Sequence, residues 1–416
     1  MTFASKCLFM MVLAAGVGSA MGAEKKTESA QVHSGLEYEF LGAYDQEKLN
    51  HVMGPELDAF MSSSTQPAAI RGNFPPAKYA VNLYRVKYRS VIPEFGNQPT
   101  VASGLLAIPA TSEKSLPLVS YQHGTVFDKS FVPSNPDKST ETRIMLAAFA
   151  AQGYVVVGAD YFGRGVSDLP DSYLVKDSTR QATFDMLWAA KDILDSMNIR
   201  ISHFFMSGWS QGGWVTMQFL KKLDTVGVPV TAVAAASAPV DIYLTMNRWL
   251  NNYQSVDAVY LPAVVAIQLQ AQEYYLSQVG LLESAVRSEY QQAARDLYQN
   301  KIDWDTFAKT TPSKLSDFIK PEFAQSGFLG DSPYWQVLDK SQAYRWRSEV
   351  PLRTYYGGRD EVTPAVIGQL PAATQKLLGG EPAEAIYAGD QADHRGVFVF
   401  GVQDQKKWFD GFVGKP

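Results

Sequence analysis

The feature that most constrains the fold is a series of short apolar runs separated by segments of helical pattern. The runs are 118–121, 154–159, 202–206, 231–236 and 352–356. Continuous apolar strands of this kind are typical of parallel sheets that helices cover on both faces. Between the second and third runs, Met186, Ala190, Ile193, Leu194 and Met197 share one helical face. The pattern predicts a doubly wound, mostly parallel α/β sheet, with functional groups at the carboxyl ends of its strands.

An antiparallel strand pair is predicted before the first of these runs. Residues 84–89 alternate between apolar and basic side chains, as in a half-buried strand. A second strand, 101–108, follows a turn signal at Gly96-Asn97. We expect the pair at one edge of the sheet. Residues 24–36 are polar and are predicted to be a flexible leader, within an N-terminal leader and extension spanning 24–77.

The alternation of strand and helix stops between residues 242 and 350. This stretch is helical in pattern and is too long for a loop. We therefore predict a helical insertion with its own small core. It divides an α/β core into a first part, 78–241, and a second part, 351–416.

The first residues have the pattern of an export signal. Lys6 supplies a positive charge, residues 7–17 are apolar, and small residues follow. A buried helix and a membrane anchor are the alternatives, but an anchor needs about 20 apolar residues. We expect a signal peptide, 1–23, cleaved near Ala20 or Ala23, so that the protein is exported to a periplasm or secreted, without stable membrane insertion. Cleavage removes Cys7, the only cysteine.

Composition and motifs exclude several classes of partner. The formal net charge of −5 argues against a nucleic-acid binder, which needs clustered lysine and arginine. The sequence lacks the histidine and carboxylate spacings of metal sites, and Gly163-Arg164-Gly165 is not a nucleotide-binding fingerprint. No metal and no cofactor are therefore predicted. The oligomeric state is left open.

The motif Gly208-Trp209-Ser210-Gln211-Gly212 carries the predicted chemistry. It follows an apolar strand and precedes a helical run, which is the setting of a nucleophile elbow. Glycines on both sides allow the sharp turn that exposes the serine hydroxyl. The alternative is an ordinary glycine-rich helix start. We predict Ser210 as the nucleophile.

A serine needs a base and an acid that orients the base. Of the five histidines, only His394 follows Ser210, and it lies in a polar loop after a strand-like segment. A surface histidine without function is the alternative. The predicted acid is Asp360, which follows the last apolar run and a Gly-Gly turn. Its competitors are Asp241, Glu361 and Asp393.

An oxyanion hole needs two backbone amides beside the nucleophile. One is predicted from Gln211, and the other from Thr125 in the loop after the first apolar run. His123 precedes the nucleophile and is interpreted as shaping this loop. A further strand-end loop, 160–165, either borders the pocket or is a structural turn.

Together these motifs resemble the α/β-hydrolase superfamily. The Tyr-Gln-His-Gly-Thr loop (121–125) and the helical insertion look like those of secreted lipases and esterases of the secretory-lipase type. The resemblance implies that residues 242–350 form a cap over an acyl pocket. It also implies a secreted serine esterase or lipase that cleaves a small-molecule ester through an acyl-enzyme. A secreted peptidase of the same fold and a non-catalytic binding protein are the alternatives.

Overall fold

The structure, a computed structural model, describes residues 29–33, 35–62 and 73–414. The predicted signal peptide, 1–23, lies outside the described residues. The strands are β1 (Ser29–His33), β2 (Leu36–Tyr44), β3 (Val81–Ile92), β4 (Gln98–Pro109), β5 (Ser115–Gln122), β6 (Val155–Ala159), β7 (Arg200–Trp209), β8 (Ala232–Ala236), β9 (Leu352–Tyr356) and β10 (Ala383–Tyr387).

The helices alternate with the strands in the core and follow one another between β8 and β9. They are α1 (Gln46–His51), α2 (Leu57–Met61), α3 (Thr140–Ala148), α4 (Lys176–Ser196), α5 (Gln211–Val226), α6 (Ile242–Asn251), α7 (Leu261–Tyr275), α8 (Leu281–Ala285), α9 (Gln291–Tyr298), α10 (Trp304–Thr310), α11 (Leu315–Phe318), α12 (Pro321–Leu329), α13 (Pro333–Lys340), α14 (Ala365–Leu378) and α15 (His394–Val413). A π-helical turn, Val52–Glu56, joins α1 to α2. Among the described residues, none of these helices is both long and apolar enough to cross a bilayer.

The strands form one ten-stranded sheet in the order β1-β2-β3-β4-β6-β5-β7-β8-β9-β10. Pairing is parallel from β6 through β10 and antiparallel from β1 to β4 and between β4 and β6. The predicted doubly wound, mostly parallel sheet is confirmed. Its parallel half places the carboxyl ends of β5, β7, β8 and β9 side by side, which is where this class of sheet carries its functional groups.

The sheet separates two apolar clusters, and neighbouring residues of one strand contribute to opposite sides. In β6, Val155 and Val157 belong to one cluster, whereas Val156 belongs to the other. Helices α4 and α5 cover the first face, and α3 and α15 cover the second. Because both faces are buried, the strands carry continuous apolar runs instead of an alternating pattern.

The antiparallel pair is confirmed, but its expected place at the edge is wrong. β3 pairs with β4 along its whole length, and β2 and β1 add two further strands outside it. Residues 29–33, predicted to belong to a flexible leader, form the edge strand β1. Residues 29–33 pair with β2 through main-chain hydrogen bonds, which a sequence pattern does not record.

The segment from α6 to α13 is helical, as predicted, but its apolar residues do not form a separate core. They belong to the same cluster as the sheet face covered by α4 and α5. Trp214 of α5 donates its indole hydrogen to the carbonyl of Ser341, just beyond α13, at 2.9 Å. We refer to residues 242–340 as the helical cap, which lies directly on the sheet domain.

Candidate active site

Ser210 lies at the sharp turn between β7 and α5. Its backbone has φ 57° and ψ −126°, in the positive-φ region that non-glycine residues rarely adopt. Such strain persists only where the surrounding structure enforces it, and it clusters at functional sites. The structure therefore has the strand–turn–helix arrangement of a nucleophile elbow at this serine.

Close backbone packing explains the glycines around the serine. A Cβ atom on Gly208 would collide with the carbonyl of Gly212, and one on Gly212 would collide with the carbonyl of Gln122. A Cβ on Gly213 would lie 2.6 Å from that of Ala238. The start of α5 is thus pressed against β5 on one side and the end of β8 on the other, which brings the loop after β5 beside the elbow.

Asp360 follows β9 and is buried against the histidine. Its Oδ1 accepts hydrogen bonds from the amides of Val362, at 3.0 Å, and Thr363, at 2.8 Å, and lies 2.9 Å from Nδ1 of His394. Burial raises the pKa of Asp360, but the nearby imidazole and these hydrogen bonds outweigh it and hold the pKa below its usual value. The carboxylate is therefore ionised and fixes the imidazole with its hydrogen on Nδ1.

His394 is the first residue of α15 and is buried. Burial lowers its pKa, but the carboxylates of Asp360, Glu361 and Asp393 raise it, and the net shift is upward. Its backbone amide donates to Oε2 of Glu361 at 2.9 Å. An imidazolium formed at this position is thus stabilised by the surrounding negative charge.

Trp209 joins the histidine to the elbow. Its indole nitrogen donates to the carbonyl of His394 at 3.0 Å, and the two rings lie 4.9 Å apart. Phe60 of α2 packs against the far side of Trp209, at 6.0 Å between centroids. The next residue after the histidine, Arg395, donates to the carbonyl of Phe60 at 2.9 Å. His394 is therefore joined to Trp209, the residue that precedes Ser210, and its neighbour Arg395 is joined to α2.

Two of the competing acids have other structural roles. Asp241 caps α6 through the amide of Leu244, at 3.0 Å, and accepts from the hydroxyl of Tyr344, at 2.8 Å. Asp393 caps α15 through the amide of Gly396, at 2.8 Å. Glu361, the third competitor, contacts the backbone of His394 instead of its ring. The structure thus brings Asp360, and none of these three, to the imidazole.

The loop after β5 is held tightly at one residue. The Gly124 amide donates to both carboxyl oxygens of Glu141, at 3.0 and 3.1 Å, and the Gly124 carbonyl lies 2.8 Å from Nδ1 of His123. Thr125 follows, with its hydroxyl 2.9 Å from that of Tyr173. Within the described part of the chain, no group accepts a hydrogen bond from the amide of Thr125 or Gln211. Both amides therefore keep an unused donor hydrogen in the described structure.

His123 supports this loop from behind. Burial lowers its pKa to about 4, so the ring is neutral at pH 7. It stacks on Tyr161 with centroids 4.3 Å apart, and the hydroxyl of Tyr161 donates to the carbonyl of His123 at 3.1 Å. Residues 160–165 therefore act as a structural turn under the loop, and a buried ion pair between Arg164 and Asp171, at 2.5 Å, fixes that turn.

Two residues near the site were missed by the sequence analysis. Ser237, after β8, has φ 45°, and its hydroxyl helps to lower the pKa of Asp360. A polar residue at the end of an apolar run was the available signal. Glu141 is the second residue of α3, and no sequence pattern marks it. In the described chain, no three histidine, cysteine, aspartate or glutamate side chains are grouped to hold a metal ion.

Comparison with known proteins rests on structure alone. No protein-family model matches the sequence, and no curated protein matches it. A protein from Legionella pneumophila whose hydrolase activity is proposed superposes with TM-score 0.79 at 22% identity, over 91% of this chain and 98% of the other. The rice cell wall degrading esterase LipA from Xanthomonas oryzae gives TM-score 0.73 at 21% identity, over 90% and 96%.

A third solved structure, Candida antarctica lipase A, superposes with TM-score 0.61 at 17% identity, over 81% of this chain and 79% of the lipase. Each of the three likenesses covers at least four fifths of this chain. The predicted resemblance is confirmed at the level of the fold. The chain has the α/β-hydrolase fold, as these esterases and lipases do.

Proposed function

We propose that this protein is a serine hydrolase that cleaves carboxylic esters, with Ser210, His394 and Asp360 as its catalytic triad. The observation that carries the proposal is the buried contact of 2.9 Å between Asp360 and His394, held by Trp209 beside a strained serine elbow. The upward shift in the pKa of His394 supports it, because a general base gains from a stabilised protonated form.

In the proposed mechanism each of these groups has one role. Nε2 of His394 takes the hydroxyl proton as Ser210 Oγ bonds to the ester carbonyl carbon, and the carbonyl π electrons move to oxygen. The amides of Thr125 and Gln211 donate to that oxyanion. When the tetrahedral intermediate collapses, the C–O bond to the alcohol breaks and the imidazolium protonates the leaving alkoxide. Water then attacks the acyl-enzyme by the same steps and releases the acid and Ser210.

The surroundings of Thr125 favour an apolar acyl or aryl group. Phe127 stacks on Trp304 of the cap, with centroids 5.3 Å apart and an angle of 19°. Tyr260 packs edge-on against both rings. This aromatic cluster lies where the cap meets the oxyanion loop. A long polar peptide would leave its amides without partners among these rings. The esterase and the lipase that share the fold support the same choice.

The test compares substrates and variants. We expect turnover of p-nitrophenyl esters and covalent labelling by a fluorophosphonate in the wild type. Ser210→Ala is expected to lose the label and about 10⁴-fold or more in kcat, because removing a triad nucleophile leaves only residual catalysis. His394→Ala should lose a similar factor, whereas His203→Ala, at a histidine of β7 outside the site, should retain wild-type kcat. Faster cleavage of aminoacyl p-nitroanilides would indicate a peptidase, and a folded but unlabelled protein would indicate a binding protein.

A further inference from the structure

A buried carboxyl group lies behind the oxyanion loop without a role in the mechanism. Glu141, the second residue of α3, is 8% exposed. Its two oxygens share the amide hydrogen of Gly124, at 3.0 and 3.1 Å. A Cβ atom on Gly124 would lie 3.3 Å from Oε2 of Glu141 and 3.1 Å from the ring of Trp209. The glutamate, the loop and the indole that holds His394 are therefore in one packed group.

The peptide geometry connects this contact to the amide that binds the oxyanion. The peptide between Gly124 and Thr125 is planar, so its carbonyl and the Thr125 amide point in opposite, linked directions. Nδ1 of His123 lies 2.8 Å from that carbonyl oxygen, and Glu141 accepts a hydrogen bond from the amide of Gly124 itself. Gly124 has no side chain to pack against its neighbours, so these two contacts limit its rotation. The direction of the Thr125 amide depends on both.

We propose that Glu141 is a positioning residue of the oxyanion hole, which anchors Gly124 so that the Thr125 amide points at the carbonyl oxygen of the substrate. This inference rests on the proposed ester hydrolysis and extends it to a residue that does not touch the substrate. A displaced donor weakens the stabilisation of the transition state more than the binding of the ground state. The expected consequence of losing Glu141 is a fall in kcat at nearly constant KM.

The charge of Glu141 gives the proposal a second readout. Burial raises the pKa of Glu141 to about 8, against the lowering effects of Tyr121, the Gly124 amide and His394. The Tyr121 phenol from β5 faces the carboxyl without a well-aligned hydrogen bond to any described group. Tyr161, from the loop after β6, faces it as well. At pH 7 the carboxyl is therefore mostly protonated. Its ionisation at higher pH places a negative charge at the Gly124 amide, one residue before the Thr125 amide that is proposed to bind the oxyanion, so kcat should fall as the pH rises above about 8.

The experiment measures kcat per active site, with active sites counted by fluorophosphonate titration. Glu141→Ala removes the acceptor and is expected to lower kcat about 10- to 100-fold, less than the 10²- to 10³-fold effect of deleting an oxyanion donor outright, with KM within about threefold. Glu141→Gln keeps an oxygen for the Gly124 amide but cannot ionise. It should restore kcat at pH 7 to within about threefold of wild type and lack the alkaline decline.

Glu94 provides a matched control outside the site. Its carboxylate accepts from the amide of Ser178 at 3.1 Å and from the hydroxyl of the same residue at 2.5 Å, at the start of α4. Glu94→Ala loses a comparable anchor, and its kcat per titrated site should equal that of the wild type. A wild-type kcat per site in Glu141→Ala, or an equal loss in Glu94→Ala, would overturn the proposal.

Two further outcomes separate this proposal from its alternatives. If Glu141→Ala does not fold, the pH profile of Glu141→Gln tests the proposal alone. A fall in kcat of this variant above pH 8 that matches the fall in the wild type would contradict a role for Glu141. Failure of the proposed function would appear differently, as a wild-type protein without ester turnover or labelling. In a wild type that is active, these variants test Glu141 alone.

Discussion

The two ends of the proposed catalytic triad are held by different parts of the molecule. The elbow is fixed within the sheet domain, where the Ser210 amide donates to the carbonyl of Ala236 at 2.9 Å and the glycines pack against β5 and β8. The acid loop also depends on the helical cap. The amide of Ala258 donates to the carbonyl of Glu361 at 3.0 Å, and the indole of Trp249 donates to that of Val362 at 2.8 Å.

The position of the nucleophile and the position of the base are therefore fixed by different kinds of contact. The elbow depends on how closely backbones can approach, so it tolerates no added volume. The acid and base depend on hydrogen bonds and charges contributed by several segments, including one outside the sheet domain. A change in the cap should therefore alter the acid and base and leave the turn at Ser210 in place.

The largest expected effect is at the elbow. Gly212→Ala places a Cβ atom against the backbone carbonyl of Gln122, and neither backbone can move without disturbing β5 or α5. We expect a loss of about 3 kcal/mol or more in the free energy of unfolding, measured by urea denaturation, since overpacking of a rigid site costs 1–3 kcal/mol or more. The ester activity should be lost as well.

Gly411→Ala is the control for that variant. Gly411 lies inside α15, and a Cβ atom there meets no atom within 4 Å. Alanine in a helix should stabilise the protein by about 0.5–1 kcal/mol. Normal stability and activity in Gly212→Ala would show that the elbow is not fixed by close packing, and the comparison between the two ends would fail.

The pH dependence of kcat/KM tests the charged end. The general base must be neutral, so kcat/KM is lost as the pH falls through the pKa of His394, by about tenfold per unit below it. Because the neighbouring carboxylates raise that pKa, the acid limb should lie above the usual value of roughly 6.5. Glu361→Gln removes one of these charges and should move the limb to lower pH, whereas Glu322→Gln, at an exposed position of α12, should not. An acid limb below pH 6 would contradict this account.

The smallest expected effect tests the link between cap and acid loop. Trp249→Phe removes the indole hydrogen bond to the Val362 carbonyl and should lower kcat by about 3- to 10-fold, in line with a hydrogen bond of about 0.5–1.5 kcal/mol. Trp335→Phe is the matched control, because its indole donates at 2.8 Å to Ser326 within the cap. Equal effects of the two variants would mean that the cap acts on the site only through general stability.

The residues of the candidate site differ in how far the sequence could predict them. Ser210 could be proposed from the sequence because the elbow motif needs local glycines. His394 could be proposed because it is the one histidine that follows the motif. Asp360 could be proposed because the turn after the last apolar run contains few candidates for the acid. Glu141 could not be proposed, because its partner, the Gly124 amide, is 17 positions away and lies in a different part of the fold. A sequence pattern records which residues are buried, and not which backbone group a buried carboxyl meets.

In the fold, too, local features could be predicted from the sequence, whereas contacts between distant segments could not. The buried parallel strands were predictable because each apolar run is local, as is the helical pattern of the cap. The edge strand β1 and the shared core of cap and sheet were not. β1 is defined by its main-chain pairing with β2, which a short sequence pattern does not predict. The periodicity of the cap helices shows an apolar face but does not identify the surface that covers it.

The contacts around Trp209 and Phe60 also have a consequence for when the proposed site can be complete during synthesis of the chain. Trp209 and His394 are 185 positions apart, and Phe60 and Arg395 are 335 apart. A growing polypeptide therefore presents the elbow serine long before the imidazole has been translated, and the imidazole is held only after α15 returns to the helices made first. The proposed hydrolase activity should therefore be absent from a chain that is still being synthesised, and it should begin only after α15 docks against α2.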